Sequence, residues 1–449
     1  MPNKRFKTIS LFSGAMGLDI GLERTGAFDL LAAVEKEPVF CETIRQNCAA
    51  GRVGNKKLWV YEGDITGFDP KRVMKDVGVS PGELDLLVGG PPCQSFSTAG
   101  KRGTVSDPRG TLIWQFLRFV EIMRPRFFLM ENVRGLLSAA LKQRPVKMRP
   151  DRGGPPLEDD ELPGSVVRRF AADFEKIGYR FDCFEVNAVN YGAPQIRERA
   201  LFIGNRFGEV VDFPMPTHGV GDEQIAQTKL LASGITMFQP RRTLRNAIGD
   251  LREVNPVILD FSPRKKRFLS LIPQGGNWRS LPEELQKESM GKAWKAKGGR
   301  SGWWRRLNFD LPSPTVVTMP NHASTALCHP TEVRALTLRE CARIQEFPDA
   351  WQFCGTAQQQ YAQVGNAVPT RLGHVAGQTL VGLLQKHVSK KGEAISPLAP
   401  SRVIYLQSHI RTRQWFKSGQ AVIWKDGKEN HQMAPKTVRA ERALASYAR

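Results

Sequence analysis

The chain has 449 residues, of which 41% are hydrophobic, so it can form two or more domains with a sizeable core. No apolar run is long enough to cross a membrane and residues 1–10 lack the apolar segment of a signal peptide, which predicts a cytoplasmic protein without membrane contact. A formal charge of +21 can be a solvated basic surface, but its size favours a polyanionic partner, with nucleic acid as the first candidate.

The seven cysteines show no pattern typical of a disulfide framework or a metal site. Their number is odd, and no two of them are spaced as C-x-x-C. A reducing compartment fits this usage and would leave a reactive thiol free. We therefore expect no metal.

The first predicted unit is a strand, a glycine turn and a helix. Thr8–Leu11 predicts a buried strand, and Phe12, Gly14 and Gly17 lie in the turn that follows. Glycines there let the backbone approach a ligand, and the first amides of the helix can meet its negative groups. Such a turn is a weak signal for cofactor binding when taken alone.

Acidic residues follow the next two strands. Glu35 ends a buried run about 20 residues after the turn, the usual offset for binding ribose hydroxyls. Asp64 follows Gly63 and could accept a hydrogen bond from an adenine amino group. Either acid could instead cap a helix, but together they favour a nucleoside site.

A cysteine follows the buried run Leu84–Val88. Two glycines and two prolines end that strand, which places Cys93 at the carboxyl end of a sheet strand, where open α/β sheets bind ligands. A buried structural cysteine is the ordinary alternative. The stiff diproline before Cys93 and the polar Gln94 and Ser97 after it favour a nucleophile.

The next predicted strand supplies a carboxylate. A helical pattern over Leu112–Met123 precedes a buried strand, Phe127–Met130, which ends in Glu131. Because this strand follows the cysteine strand, we expect Glu131 beside Cys93, partly desolvated and able to act as an acid near neutral pH. A helix cap or a surface ion pair is the alternative.

Two segments have the composition of surface loops. The polar, basic stretch that contains Lys101 and Arg102 is glycine-rich, and we expect it to close over a phosphate backbone. Residues 143–163 are rich in proline, glycine and charge and predict a surface insertion.

Donor side chains alternate after the next predicted helix and strand. Gln195, Arg197 and Arg199 would point to one face of a strand if the segment is extended. On one face they could hold a base edge and phosphates, although a solvated strand face is the ordinary alternative.

The alternation of strands and helices is lost between residues 205 and 320, which predicts a second, smaller domain. Basic and aromatic residues are interleaved there, which suits nucleic-acid contact, although some tryptophans must belong to a core. Regular structure returns with a helix at 336–347, a loop at 363–369 and a helix at 371–387. The basic extension, residues 389–449, shows no clear pattern.

The order of these motifs resembles that of the DNA (cytosine-5) methyltransferases over most of residues 7–388. The motifs are the glycine loop after Phe12, Gly-Pro-Pro-Cys-Gln at 90–94, Glu-Asn-Val at 131–133, Gln-x-Arg-x-Arg at 195–199 and Gln-x-Gly-Asn-x-Val at 363–368. A variable region separates the last two, as in that family. Met16 stands where the family usually has glycine, and because Gly17 is retained we expect a slightly altered loop with binding intact.

The resemblance implies an α/β fold: a Rossmann-like, S-adenosylmethionine-dependent methyltransferase domain formed by residues 1–205 and 321–388, with a target-recognition domain, residues 206–320, inserted in it. It implies methyl transfer to C5 of a flipped cytosine in a short duplex DNA sequence, through a covalent bond between Cys93 and C6. The implied cofactor residues are Phe12, Gly14, Gly17, Glu35, Asp64, Ile65, Pro92, Leu112 and Asn366. The implied catalytic residues are Cys93, Glu131 and Arg199, and those implied to contact or support the DNA substrate are Gln94, Ser97, Lys101, Arg102, Asn132, Gln195 and Arg197.

Other functions remain as alternatives. A tRNA cytosine-5 methyltransferase would share the architecture, but the tryptophan- and arginine-rich insertion favours duplex DNA. An inactive DNA-binding regulator is disfavoured because Cys93 and Glu131 are intact, and a nicotinamide-dependent enzyme would leave Cys93 and the charge unexplained.

Two further expectations concern the biological role and the target specificity. By analogy with stand-alone prokaryotic members, the protein would protect host DNA from a partner endonuclease. We expect a monomer, and we expect arginines and tryptophans between Trp278 and Arg306 to contribute to sequence specificity.

Overall fold

The computed structural model describes residues 5–54, 57–92, 112–219, 239–295, 300–387, 398–406 and 439–443. The strands in these ranges are β1 (Phe6–Leu11), β2 (Phe28–Glu35), β3 (Trp59–Glu62), β4 (Leu86–Gly89), β5 (Phe127–Val133), β6 (Arg180–Asn187), β7 (Glu198–Asn205), β8 (His218–Gly219), β9 (Gln239–Pro240), β10 (Arg402–Leu406) and β11 (Arg439–Ala443). The helices are α1 (Gly17–Glu23), α2 (Pro38–Ala49), α3 (Pro70–Asp76), α4 (Leu112–Met123), α5 (Ser165–Lys176), α6 (Leu244–Ile248), α7 (Pro263–Leu269), α8 (Glu283–Met290), α9 (Leu338–Ile344), α10 (Ala357–Asn366) and α11 (Thr370–His387).

Nine of the described strands form one sheet in the order β11-β10-β6-β7-β5-β4-β1-β2-β3, and β8 and β9 form a separate pair. Neighbours in the large sheet run parallel, except that β7 is antiparallel to β5 and β6 and β11 is antiparallel to β10. Because β4 lies between β1 and β5 and is parallel to both, the chain leaves all three strands at one edge of the sheet. This is the carboxyl edge.

Alternating side chains of the central strands hold a layer of helices on each face of the sheet. Leu87 and Phe128 pack on one face with α3, α4 and α5, whereas Leu86 and Phe127 pack on the other with α1 and α11. Successive residues of a strand point to opposite faces, so a strand covered on both sides needs a continuous apolar run. The predicted α/β fold class is confirmed.

Two local predictions are wrong. Gln363–Asn366 are not a loop, because they form the last residues of α10. Gln195 and Arg197 do not share a strand face with Arg199, because β7 begins only at Glu198 and the two residues precede it. In both places the motif is rich in polar residues, and tertiary contacts decide the backbone conformation.

The extension after residue 388 contributes to the main sheet, contrary to its patternless appearance. Residues 402–406 form β10, which pairs in parallel with β6. Ile404 and Leu406 are buried in the core. Arg402 forms an ion pair of 2.7 Å with the fully buried Asp182. A five-residue strand paired with a distant partner leaves little trace in a basic segment.

The region between residues 206 and 320 packs partly on itself and partly on the sheet domain. Phe268, Trp278 and Trp304 form a core together with Ala335, which lies beyond residue 320. Leu244 instead packs in the cluster that contains Met16, next to α1. No helix in the described ranges is long and apolar enough to span a membrane.

Candidate active site

The chain leaves β4 at the centre of the carboxyl edge. A Cβ built on Gly89 would lie 2.5 Å from the backbone oxygen of Leu11, so glycine is needed for β4 to approach β1 this closely. Beyond it, Asn132 Nδ2 donates a hydrogen bond of 3.1 Å to the carbonyl oxygen of Pro91. These contacts fix the point from which the chain runs on towards residue 93.

Several predicted site residues follow directly on this exit. Cys93, Gln94, Ser97, Lys101 and Arg102 lie outside the described residues, and their roles stay predictions.

Glu131 and Arg199 form an ion pair at the same edge. The antiparallel register of β5 and β7 places Val133 opposite Arg199. Nε of Arg199 lies 2.5 Å from Oε1 of Glu131, and the two side chains are 12% and 10% exposed. Glu131 lies within β5 rather than after it, and a Cβ built on Gly90 would lie 3.2 Å from its Oε2. The carboxylate is therefore beside the exit of the cysteine strand, as predicted.

Gln195 and Arg197, which precede β7, are buried, and both form hydrogen bonds with other protein groups. Arg197 donates hydrogen bonds of 2.9 Å to the carbonyl oxygens of Val316 and Gly365. Burial, together with the nearby charge of Arg199, lowers the pKa of Arg197 well below its usual value. Gln195 Oε1 accepts a hydrogen bond of 2.8 Å from the backbone of Val316. This placement suits a role in supporting the Arg199 segment, and contact with DNA stays a prediction.

Gln345 is a candidate that the sequence analysis missed. Its fully buried side chain accepts a hydrogen bond of 2.8 Å from Gln195. Its own Nε2 donates to the carbonyl oxygens of Val364 and Ala367, which flank the end of α10. Gln345 therefore joins the Gln195 segment to the end of α10, where the predicted cofactor residue Asn366 lies. The signal in the sequence is a polar residue directly after the apolar end of α9.

The loop between β1 and α1 holds three residues in the left-handed conformation: Phe12, Gly14 and Met16, with φ of 53°, 54° and 67°. Met16 thus adopts a conformation that glycine reaches without strain, while its side chain is fully buried. A Cβ on Gly17 would lie 2.2 Å from the backbone oxygen of Val368, so α1 can pack there only with glycine. A Cβ on Gly14 would meet nothing within 4 Å, which means that open space lies beside the loop.

Glu35 organises this loop from the end of β2. Its Oε2 accepts the backbone N–H of Gly14 at 2.7 Å, and its Oε1 accepts those of Lys36 and Glu37 at 2.8 and 3.0 Å. The acid that the sequence placed after the second strand therefore contacts the glycine loop directly.

Asp64 caps the short turn that follows β3. It accepts hydrogen bonds from the backbone and the hydroxyl of Thr66 and forms an ion pair of 3.1 Å with Lys36. These contacts, the Thr66 backbone N–H first among them, lower the pKa of Asp64 to about 2. The neighbouring Ile65 is buried, and its carbonyl oxygen accepts a hydrogen bond of 2.8 Å from Arg118 on α4. Arg118 positions this turn and was also missed, because its partner is 53 residues away.

The carboxyl edge therefore gathers most of the predicted cofactor residues. Glu35 is the last residue of β2, and Phe12, Asp64 and Pro92 follow β1, β3 and β4. Leu112 begins α4, and Asn366 ends α10 with an exposed side chain. Buried and exposed carboxylates for hydroxyl and amino groups, apolar Phe12 and Ile65, and open space beside Gly14 fit a nucleoside such as S-adenosylmethionine.

The described residues contain no group of three or more His, Cys, Asp or Glu side chains that could hold a metal ion. Six of the seven cysteines fall in this part of the chain, and all six are free. Cys183 and Cys341 are fully buried, and burial raises the pKa of each thiol well above its usual value, so neither suits a nucleophile.

A family model described as C-5 cytosine-specific DNA methylase matches residues 6–381. The chain belongs to this family. Type II methyltransferase M.Eco47II of Escherichia coli is 35% identical to this methylase over 395 residues, which cover 86% of this chain and 81% of that protein. Type II methyltransferase M.Sau96I of Staphylococcus aureus is 33% identical over 384 residues, covering 86% and 77%.

Solved structures share the fold of this methylase. A prophage-encoded Escherichia coli protein assigned as a DNA modification methyltransferase superposes with a TM-score of 0.53 at 24% identity, covering 85% of this chain and 99% of that one. Methyltransferase EhMeth of Entamoeba histolytica superposes with a TM-score of 0.51 at 14% identity, with the same coverage. The predicted enzyme class, DNA (cytosine-5-)-methyltransferase, is confirmed by the family.

Proposed function

We propose that this methylase transfers the methyl group of S-adenosylmethionine to C5 of a flipped cytosine through a covalent bond between Cys93 and C6. The observation that carries the proposal is the buried Glu131–Arg199 pair beside the exit of the strand that leads to Cys93. Cytosine C5 is too weak a nucleophile to take a methyl group directly. Addition of a thiolate at C6 turns C5 into an enamine carbon and makes the transfer possible.

Glu131 has the central role in this addition. As the Cys93 thiolate forms its bond to C6, electrons of the C5–C6 double bond shift into the ring, and Glu131 stabilises them by protonating or hydrogen-bonding N3. Arg199 holds the Glu131 carboxylate in place and would also contact the base carbonyl. Gln195, Arg197 and Gln345 keep Arg199 in position from below.

When bound, S-adenosylmethionine would supply an electrophilic methyl group on a sulfonium, and the residues of the carboxyl edge would hold it for transfer to C5. Glu35 and Asp64 would bind its polar groups, with Phe12 and Ile65 against its base. After the methyl group is on C5, the C5 proton leaves to solvent and its bonding electrons re-form the C5–C6 double bond. The Cys93 thiolate leaves C6 in the same step, Glu131 takes back any proton given to N3, and the ring regains its aromaticity.

The target base must leave the duplex, because a stacked ring offers neither C6 nor C5 to groups above and below its plane. Extrusion costs a few kcal/mol, which contacts to phosphates and grooves must offset. The region between residues 206 and 320 would supply such contacts. Trp278 and Trp304 are buried in its core, so base contacts must come from its exposed side chains rather than from these two rings.

We further propose that the methylase acts as a monomer on duplex DNA and protects it from a cognate restriction endonuclease. Relatives that are 33% and 35% identical over most of the chain carry the name Type II methyltransferase, which supports this role.

The test is incubation of duplex DNA and, in parallel, tRNA with methyl-labelled S-adenosylmethionine, followed by bisulfite sequencing. We expect methylcytosine at one short DNA sequence with the wild type and none with Cys93→Ser. The matched control Cys354→Ser should keep full activity, because this thiol only donates a hydrogen bond to the side chain of Gln46. Label in tRNA but not in DNA would replace the proposal with the RNA alternative.

A further inference from the structure

The insertion, residues 143–163, is a closed loop with a clamped base. Arg144 Nε donates a hydrogen bond of 2.9 Å to Glu161, and Arg144 Nη1 donates to the carbonyl oxygens of Pro155 and Pro156 at 2.6 and 2.9 Å. The side chains of Arg144 and Glu161 are each only 11% exposed. Arg144 thus joins both halves of the insertion, and the conformation of the insertion is set by these internal contacts.

The tip of the insertion, residues 145–152, combines cations with exposed apolar side chains. Val146 and Met148 are each 56% exposed, on either side of Lys147. A Cβ on Gly154 would lie 2.0 Å from the carbonyl oxygen of Met148, so the chain folds back tightly behind the tip. In this arrangement Lys147 is exposed and Arg149 is half-buried.

The charges of the insertion are divided between its base and its tip. At the base, Lys142 and Arg144 neutralise acidic side chains, with Lys142 3.5 Å from Asp160. At the tip, no carboxylate of the described chain lies within ion-pair distance of Lys147 or Arg149; Arg149 donates only a long hydrogen bond to a backbone oxygen. The insertion as a whole has four cations and five carboxylates, and these are separated: the tip has a formal charge of +2, with Lys147, Arg149 and Arg152 against Asp151, whereas the base is acidic.

The topology places the insertion at the carboxyl edge, next to the active site. It follows the turn Arg134–Ser138, which comes directly after Glu131 in β5. Arg134 lies 3.3 Å from Glu198, the neighbour of Arg199, and so fixes this turn against the start of β7. The chain then returns through α5 to the opposite edge, where β6 begins.

We propose that the tip of the insertion is a DNA-contacting surface, in which Lys147 and Arg149 bind the phosphate backbone of the duplex beside the flipped base. When cationic side chains without carboxylate partners bind phosphates, they release the counterions that surround the DNA. This release is the main source of sequence-independent affinity. Exposed Val146 and Met148 add the apolar contacts to sugars and groove walls that are typical of such surfaces. The inference rests on the proposed function, since it needs duplex DNA at the carboxyl edge.

The test compares the salt dependence of DNA binding in two matched double variants. Lys147→Gln with Arg149→Gln removes two charges from the tip. Lys75→Gln with Lys176→Gln removes two charges from the ends of α3 and α5 at the opposite edge, and serves as the control. Fluorescence anisotropy with a labelled duplex gives the dissociation constant at a series of salt concentrations.

We expect the tip variant to reduce the slope of log affinity against log salt by about 1.8, at about 0.9 for each lost phosphate contact, and to weaken binding to all sequences alike. The control variant should keep the wild-type slope, and both variants should keep the wild-type affinity for S-adenosylmethionine in calorimetry. An unchanged slope in the tip variant, with DNA methylation intact, would refute this inference and leave the proposed function standing. A wild-type protein that binds no DNA would refute both.

Discussion

Nε of Arg199 on β7 lies 2.5 Å from Oε1 of Glu131 on the neighbouring strand β5, and the pair is almost closed to solvent. The two residues are 68 positions apart in the sequence, since one belongs to the Glu-Asn-Val motif and the other to the Gln-x-Arg-x-Arg motif. Antiparallel pairing of the two strands brings them together at the point where the strand before Cys93 ends. The structure thus gives the carboxylate a fixed orientation before any base arrives.

Removal of Arg199 should impair catalysis by leaving a buried carboxylate without its partner, which costs about 3–5 kcal/mol in comparable pairs. Arg199→Ala should lower the single-turnover rate of methyl transfer by about 100-fold or more, while affinity for S-adenosylmethionine stays at the wild-type level. Arg72→Ala, which removes an exposed partner of Asp76 on α3, is the matched control and should change neither quantity. An Arg199→Ala rate within a few-fold of the wild type would contradict the role of the pair.

Substitutions of Met16 test whether the loop between β1 and α1 is strained. Both Met16→Ala and Met16→Gly lose a fully buried side chain and should lower the free energy of unfolding by about 2–5 kcal/mol. Because Met16 has φ of 67°, glycine should be the more stable of the two by about 1 kcal/mol, although it is the smaller residue. Denaturant titration of both variants measures the difference, and the reverse order would show that the loop relaxes out of this conformation.

Asp19 should make stability depend on pH. It is buried in α1, and burial raises its pKa to about 7, against the opposing effect of a hydrogen bond with Ser10. The unfolded chain releases this proton near pH 3.8, so the folded state binds it more tightly between that pH and about 7. The free energy of unfolding of the wild type should therefore decrease as the pH rises through this range. Above the range, Asp19 should cause no further decrease.

Asp19→Asn supplies the comparison, because the amide cannot ionise. The stability of the wild type relative to this variant should be greater at about pH 5 than at about pH 8, measured by denaturant titration at each pH. A difference that does not vary with pH would mean that Asp19 titrates normally in the folded protein.

The strand contributed by the extension should be needed for stability. Ile404 is fully buried between the sheet and its helices, so Ile404→Ala should lower the free energy of unfolding by about 2–5 kcal/mol. Val254→Ala, at a residue that is 93% exposed, should have no measurable effect. Equal stability of the two variants would indicate that β10 is dispensable.

What the sequence revealed depended on local signals. The apolar run before Gly89 predicted the buried strand, and Glu131 was placed correctly beside that strand. The hydrogen bond from Gly14 to Glu35 was not predicted, because the sequence suggested only a ligand-binding or helix-capping role for this acid. Gln345 and Arg118 escaped because their partners are distant in sequence and each looks like an ordinary helix residue. The same reason hid β10, whose partner strand lies more than two hundred residues earlier.

The most direct test of the central claim is covalent trapping on DNA in which 5-fluorocytosine replaces cytosine. Fluorine at C5 cannot leave as a proton does, so after methyl transfer the bond between the enzyme and C6 should persist. Mass spectrometry of the digested complex should find the base attached to Cys93, with no complex from Cys93→Ser and a normal yield from Cys354→Ser. A covalent complex through another residue, or normal DNA methylation by Cys93→Ser, would contradict the account.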